Sequence, residues 1–187
     1  AGAGAGAKRD PSTLSDGKIP AGPAVGSPAP PVSLRRLDGS LVTLESLKGR
    51  VVVLEFGSYS CPAFRDRAAA MEKLRGEYGT RATFLVVYAR EAHPAGEWEV
   101  DRNKDQSISV EQPRSADARR ALATQARDAL KITVPILLDS LGNDTAIAYG
   151  AGPNSAIVIG RDGTIAARQN WFEPYAIRRW IDAAVKE

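Results

Sequence analysis

Two apolar runs, Val51-Val52-Val53-Leu54-Glu55-Phe56 and Thr83-Phe84-Leu85-Val86-Val87-Tyr88, constrain this chain more than any other feature. Each is nearly continuous and rich in β-branched residues, the pattern of a strand covered on both faces. Between them Phe64, Ala68, Met71, Leu74 and Tyr78 recur at helical spacing up to a stop at Gly79. Strand, helix and strand of these lengths predict a right-handed βαβ unit. Its two parallel strands open their C-terminal ends on one edge of the sheet, where ligands and active sites gather.

The rest of the chain builds on that unit. Val32 to Leu37, Asp38-Gly39 and Leu41 to Thr43 read as a hairpin with an Asp-Gly turn, and Leu44 to Leu47 as a helical turn ended by Gly49. Residues 89–114 read as a long polar connection of the kind that carries function or disorder. Ser115 caps a helix with Ala118, Leu122, Ala126, Ala129 and Leu130 on one face. Val134 to Leu138 is a third apolar strand, Thr145 to Tyr149 a short helix, and 156–166 a hairpin turning at Arg161-Asp162-Gly163. The last helix buries Ile177, Trp180, Ile181, Ala184 and Val185. Residues 32–187 thus read as one α/β domain, a mixed central sheet flanked by helices with an N-terminal β-hairpin. Residues 1–31, with six glycines and six prolines, read as a flexible linker.

Composition narrows the function. No run approaches 18 apolar residues, so nothing reads as a membrane span. The net charge is +3 with basic and acidic residues interspersed, which argues against a nucleic-acid partner. The chain starts without methionine, as a trimmed or processed product does, and 1–31 holds no hydrophobic signal core. The compartment stays open, and export or tethering through an upstream segment would account for that start. One cysteine and one histidine exclude an intramolecular disulfide and a Cys/His zinc site. No bound metal or cofactor is expected.

The chemistry therefore centres on Cys61, at the start of the first helix, where free N–H groups and the helix dipole favour a thiolate. Ser58 and Ser60 are placed to hydrogen-bond the sulfur or cap the helix, and Arg65 and Arg67 to fold back toward it. His93 follows the second strand, so topology brings it to the same edge as Cys61. Glu91, two residues earlier in an extended segment, points the same way, and a Glu–His pair can deliver a proton near neutral pH.

This order, with a cysteine opening the helix after a central strand, resembles the thioredoxin-like fold over about residues 26–187. Ser60-Cys61-Pro62-Ala63-Phe64 holds the nucleophile slot, with Phe64 where the resolving cysteine would stand. Phe56-Gly57-Ser58-Tyr59-Ser60-Cys61-Pro62-Ala63-Phe64 also resembles the active-site segment of the iodothyronine deiodinases, whose selenocysteine stands where Cys61 is. Glu91-Ala92-His93-Pro94-Ala95-Gly96-Glu97-Trp98, after Val86-Val87-Tyr88, is similar to that family's second motif. Asp139, Ala148-Tyr149-Gly150 and the closing hairpin fit as well.

The resemblance implies reductive removal of iodine from an aromatic ring, with Cys61 as nucleophile and Glu91, His93 and Ser58 as proton-relay candidates. Ser60, Phe64 and Trp98 would line the substrate. Pro153 joins them because it lies one position before the cis-proline slot that faces the nucleophile in thioredoxin-like folds. With no second cysteine, an external thiol of thioredoxin, glutathione or dithiol type must complete the cycle. The partners are then an aromatic halide or a peroxide, that thiol, and a second copy of the chain if it is a homodimer. Two departures stand out: Pro113 replaces a second loop histidine, and Asn154-Ser155-Ala156 replaces an arginine before the last hairpin.

Two other readings share the fold. A one-cysteine peroxidase of peroxiredoxin type would use Ser58 and Cys61, although Leu54 replaces that family's proline, and it needs an exposed low-pKa thiolate. A non-catalytic thioredoxin-like domain would capture partners at Cys61 through a groove lined by Phe64 and tryptophans. Trp171 and Trp180 are assigned to packing, and Arg35-Arg36 and Arg119-Arg120 to solvated faces.

Overall fold

The computed structural model describes residues 21–186. Strands β1 (Ser33–Arg36) and β2 (Leu41–Thr43) form the expected hairpin, its turn fixed by Asp38, whose carboxylate accepts from the Ser40 N–H and hydroxyl. A 3-10 turn, Glu45–Leu47, leads into β3 (Val51–Gly57), α1 (Pro62–Tyr78) and β4 (Ala82–Tyr88). Then come α2 (Asp101–Asp105), α3 (Ala116–Leu130), β5 (Ile136–Leu138) and α4 (Asp144–Tyr149). Strands β6 (Ala156–Ile159) and β7 (Ile165–Gln169) precede the closing helix α5 (Pro174–Ala184).

All seven strands join one sheet in the order β2-β1-β5-β4-β3-β6-β7, with β3, β4 and β5 parallel and the other pairings antiparallel. Because side chains alternate along a strand, β3 feeds both layers. Val51 and Val53 pack with Phe64, Met71, Leu74, Ile177 and Ile181 of α1 and α5. Val52, Leu54 and Phe56 pack with Leu137, Ala146 and Tyr149 toward α4. Burying each such side chain stabilises the fold by about 2 kcal/mol. Gly57 closes β3 where an aromatic ring must touch the backbone: a Cβ there would lie 2.2 Å from Cδ2 of Phe64. That approach seats the first turn of α1 on the end of β3.

Every residue of β3 is buried, including Glu55. It lies opposite Val86 on β4 and Ala156 on β6. Neither carboxylate oxygen meets a hydrogen-bond donor among the described residues. Burial alone pushes its carboxyl up to about 8.

The structure corrects four sequence expectations. The linker ends earlier than residue 31: Gly26 N–H donates to Ile165, Ile165 N–H to Ser27 and Ala29 N–H to Gly163, so 26–29 lie along the start of β7. Residues 1–20 are outside the described residues. The 89–114 connection contains a helical turn, α2, anchored by buried Asn103. Arg119 is buried, not solvated, because its guanidinium satisfies the carbonyls of Asp139 and Ser140 at the end of β5. Arg120 likewise donates to the Leu37 carbonyl (2.6 Å). Trp171 does not pack; it is 63% exposed. Among the described residues no helix is long and apolar enough to cross a membrane.

Candidate active site

Cys61 is the N-cap residue of α1, followed by Pro62 at the first helical position, where a missing N–H costs nothing. It is reached from β3 by a tight ledge, Ser58-Tyr59-Ser60, closed by a Cys61 N–H to Ser58 carbonyl bond of 3.2 Å. Every backbone polar group of the two residues before the cysteine has a side-chain partner. Tyr59 N–H donates to the Tyr88 hydroxyl (3.1 Å) and Ser60 N–H to Glu91 Oε2 (2.7 Å). The Tyr59 carbonyl accepts from Arg65 (2.7 Å) and the Ser60 carbonyl from Asn103 (2.9 Å). Tyr88 donates its own proton to Glu91 Oε1, so one buried carboxylate ties the end of β4 to the ledge.

Ser58 and Ser60 are used differently from expectation. Their oxygens accept from the backbone of the facing segment, Ala92 N–H to Ser58 Oγ (3.1 Å) and His93 N–H to Ser60 Oγ (3.0 Å). They clamp the two motifs together instead of facing the sulfur. Arg65 does fold back, bridging the Tyr59 carbonyl to Asn103 and Gln106, whereas Arg67 stays exposed. Gln112 holds the Glu91 backbone from both sides, accepting its N–H (2.9 Å) and donating to its carbonyl (3.2 Å).

Glu91 and His93 reach the same rim but do not pair. The segment after β4 bends instead of extending, so Glu91 turns into the interior and His93 outward. His93 Nδ1 lies 3.0 Å from the Trp98 carbonyl, which can only accept, so Nδ1 carries the proton and Nε2 is left as the free acceptor. The imidazole also meets the Trp98 ring edge-on, at 5.3 Å and 70°. Burial moves its pKa below the usual histidine range. Burial moves Glu91 above the carboxylate range, against the opposing pull of its Ser60 and Tyr88 bonds.

Cys61 itself is buried, 2% exposed. Desolvation raises its pKa; the Phe64 and Ala63 N–H groups and Arg65 oppose that without reversing it. The helix terminus therefore does not produce the low-pKa thiolate expected from sequence, because the sulfur is shielded from water as well as aimed at by N–H groups.

Among the remaining candidates, Phe64 is fully buried against Gly57 and takes no part in an open groove. Pro153 lies beside Gly57, Ala89 and Arg90, and no cis peptide bond occurs among the described residues. The turn is made by Asn154 in the left-handed region (φ 63°), its N–H donating to the Phe56 carbonyl at 2.7 Å. Trp98 is 38% exposed at the mouth, beside a cavity of about 220 Å³ lined by His93, Glu99, Val100, Asn103, Lys104 and Ile108. Asp139, one of the residues that fitted the family pattern, caps α4 through the Thr145 and Ala146 N–H groups.

Tyr88, Asn103 and Gln112 are the site residues that sequence reading missed. By sequence Tyr88 reads as part of an apolar strand and the other two as part of a polar loop. The one available signal was a tyrosine ending a strand three residues before a glutamate.

A family model described as Iodothyronine deiodinase matches residues 22–182. Thyroxine 5-deiodinase of Gallus gallus is 31% identical over 164 residues, covering 84% of this chain and 62% of that protein. Type I iodothyronine deiodinase of Xenopus laevis is 32% identical over 137 residues, covering 72% and 52%. The chain thus spans between half and two thirds of the length of these relatives. Among solved structures, a putative protein disulfide isomerase from Bacteroides thetaiotaomicron superposes with a TM-score of 0.62 at 23% identity, over 88% of this chain and 91% of that one. A putative thiol:disulfide interchange protein DsbE from Chlorobium tepidum gives 0.63 at 19% identity, over 87% and 98%. At these identities the likeness shows the fold, which is thioredoxin-like.

Proposed function

The chain belongs to the iodothyronine deiodinase family, and from that premise we propose that it is a thiol-dependent oxidoreductase that removes iodine from an iodothyronine or a related aryl iodide. The observation that carries the reading is the buried Tyr88–Glu91–Ser60 bridge, which puts a titratable carboxyl directly behind the ledge of the only cysteine.

In the first step the Cys61 sulfur attacks iodine along the C–I axis. The Cys61 S–H proton leaves to a neighbouring base, an S–I bond forms as the C–I bond breaks, the bonding pair stays on the ring carbon, and that carbon takes a proton in its place. The ring is reduced and Cys61 is oxidised to a sulfenyl iodide. One external thiol then displaces iodide to give a mixed disulfide, and a second releases the Cys61 thiol and an external disulfide. No cofactor enters, and the reductant must come from outside because Cys61 is the only cysteine.

Proton supply falls to the groups around the ledge. Glu91, its pKa raised by burial, retains a proton further toward neutrality than an exposed carboxylate. Ser58 accepts from Ala92 at its oxygen, which leaves its O–H available as a donor toward the site. His93 presents the basic Nε2 outward, fitted to accept a phenolic proton or hydrogen bond from substrate, with Trp98 as a wall beside it.

Iodide release from thyroxine in excess dithiothreitol tests the reading. Cys61→Ser should abolish it, and His93→Ala should lower kcat/KM by about a hundredfold, the ordinary scale of a lost acid–base group. No iodide from a protein whose Cys61 turns over peroxide would reassign the site to peroxide reduction.

A further inference from the structure

The chain has four phenylalanines, three tryptophans and five tyrosines, all within the described residues. Only three of these side chains are exposed: Trp98 at 38%, Trp171 at 63% and Tyr175 at 68%. All three lie on the edge of the sheet that carries Cys61. Trp98 follows the C-terminal end of β4, while Trp171 follows that of β7 and Tyr175 sits in the first turn of α5 just beyond it. No exposed aromatic ring occurs on the opposite edge.

The backbone ties the second group to the nucleophile. Phe56, five residues before Cys61, accepts the Asn154 N–H at 2.7 Å, and Asn154 in turn accepts the Phe172 N–H at 2.7 Å. Two strand-like steps of about 5 Å therefore separate the Cys61 strand from the Trp171 segment. Phe172, next to Trp171 in sequence, is buried and Glu173 caps α5 on the Ala176 N–H (2.8 Å), so the segment is anchored while Trp171 and Tyr175 stay exposed. Leaving two large rings in water forgoes the burial that folding normally rewards, and two exposed rings four residues apart on one rim are the kind of surface that meets a ligand.

We propose that Trp171 and Tyr175 form a ring-binding platform of the Cys61 site, holding one ring of a two-ring aryl substrate while the other sits at the His93–Trp98 flank. The inference rests on the deiodinase reading. From β4 to β7 is three inter-strand spacings, about 15 Å, the reach of two aromatic rings in series with a short polar tail. The cleavable bond then crosses the rim between the flanks, where Cys61 lies.

The test separates this proposal from the reading beneath it. In Cys61→Ser protein that also carries Trp98→Phe and Trp180→Phe, Trp171 is the only tryptophan, and iodine on a ring stacked against it quenches its emission. Titration with thyroxine should quench saturably. In the otherwise native protein, Trp171→Ala with Tyr175→Ala should raise KM for thyroxine about tenfold, with kcat changing less than twofold. Iodoacetamide labelling of Cys61 at an unchanged rate shows that the variant is folded. If the wild type releases iodide but Trp171 is not quenched and KM does not move, the platform is refuted and the deiodinase reading stands. Saturable quenching with no iodide release refutes the reading and leaves the platform. A dimer, seen by sedimentation at the titration concentration, that blue-shifts Trp171 emission and blocks quenching assigns the rings to a second copy and overturns the proposal.

Discussion

Glu55 gives the sharpest test of the physics of this fold. It is fully buried in the central strand with no donor to either oxygen, and its carboxyl is pushed from an ordinary 4.5 up to about 8. Below pH 4.5 both the folded and the unfolded chain hold the proton, and the burial carries no pH-dependent penalty. Between that value and 8 the unfolded chain releases the proton while the folded protein retains it. The folded state binds more protons, so stability falls as pH rises, by about 1.4 kcal/mol per pH unit. The loss reaches roughly 3 kcal/mol at pH 7 and levels off near 5 kcal/mol above pH 8, a large part of a normal folding free energy. Glu55→Gln removes the titration and keeps the shape; its amide carries a burial cost of its own, but one that does not vary with pH. Urea unfolding of both proteins at pH 5, 6, 7 and 7.5 isolates Glu55, because the other groups cancel in the difference. The variant should gain on the wild type by roughly 3 kcal/mol between pH 5 and 7.5. A difference that stays flat within about 0.5 kcal/mol would refute the reasoning, since it requires Glu55 to titrate alike in both states.

Two further outcomes follow from the ledge and its support. Cys61 combines 2% exposure with a pKa raised by desolvation. Its alkylation by iodoacetamide should therefore run slower than that of a free thiol and keep rising through pH 9; a plateau at neutral pH would contradict that environment. Gly57→Ala drives a Cβ to 2.2 Å from the Phe64 ring, which backs onto the core. It should cost about 1–3 kcal/mol in urea unfolding and lower iodide release along with stability, because the ring it displaces seats the first turn of α1.

The fold was legible because its signals are local and strong. The continuous runs of β3 and β4, the helical repeat from Phe64 to Tyr78 and the Asp-Gly turn each point to one conformation, and the structure adopts it. Cys61 and His93 were brought to one rim by topology alone. What stayed hidden depends on long-range polar geometry. Asn103 is a loop residue by sequence, and only the docking of α2 under the ledge gives its amide the Ser60 carbonyl to hold. Arg119 sits in a helix that reads as amphipathic, yet two carbonyls at the end of β5 draw its charge inward. The Glu91–His93 pairing failed because the chain bends after β4, and bends carry no periodicity. The average behaviour of tryptophan puts Trp171 in the packing, but that average says nothing about a particular rim, and here the ring is exposed.

The ledge before Cys61 is held by Tyr88, Glu91 and Asn103, all from one continuous stretch of chain, with Arg65 the one contributor from its own helix. The reactive loop and the β4–α2 segment therefore form a single transplantable module. Moving residues 57–65 onto another scaffold of this fold would carry the cysteine and the Arg65 bond to the Tyr59 carbonyl but leave three backbone groups unpartnered. A working graft needs 88–112 as well. For the same reason, variation within either segment is expected to be accepted only when its counterpart changes with it, so that the two are inherited as one block.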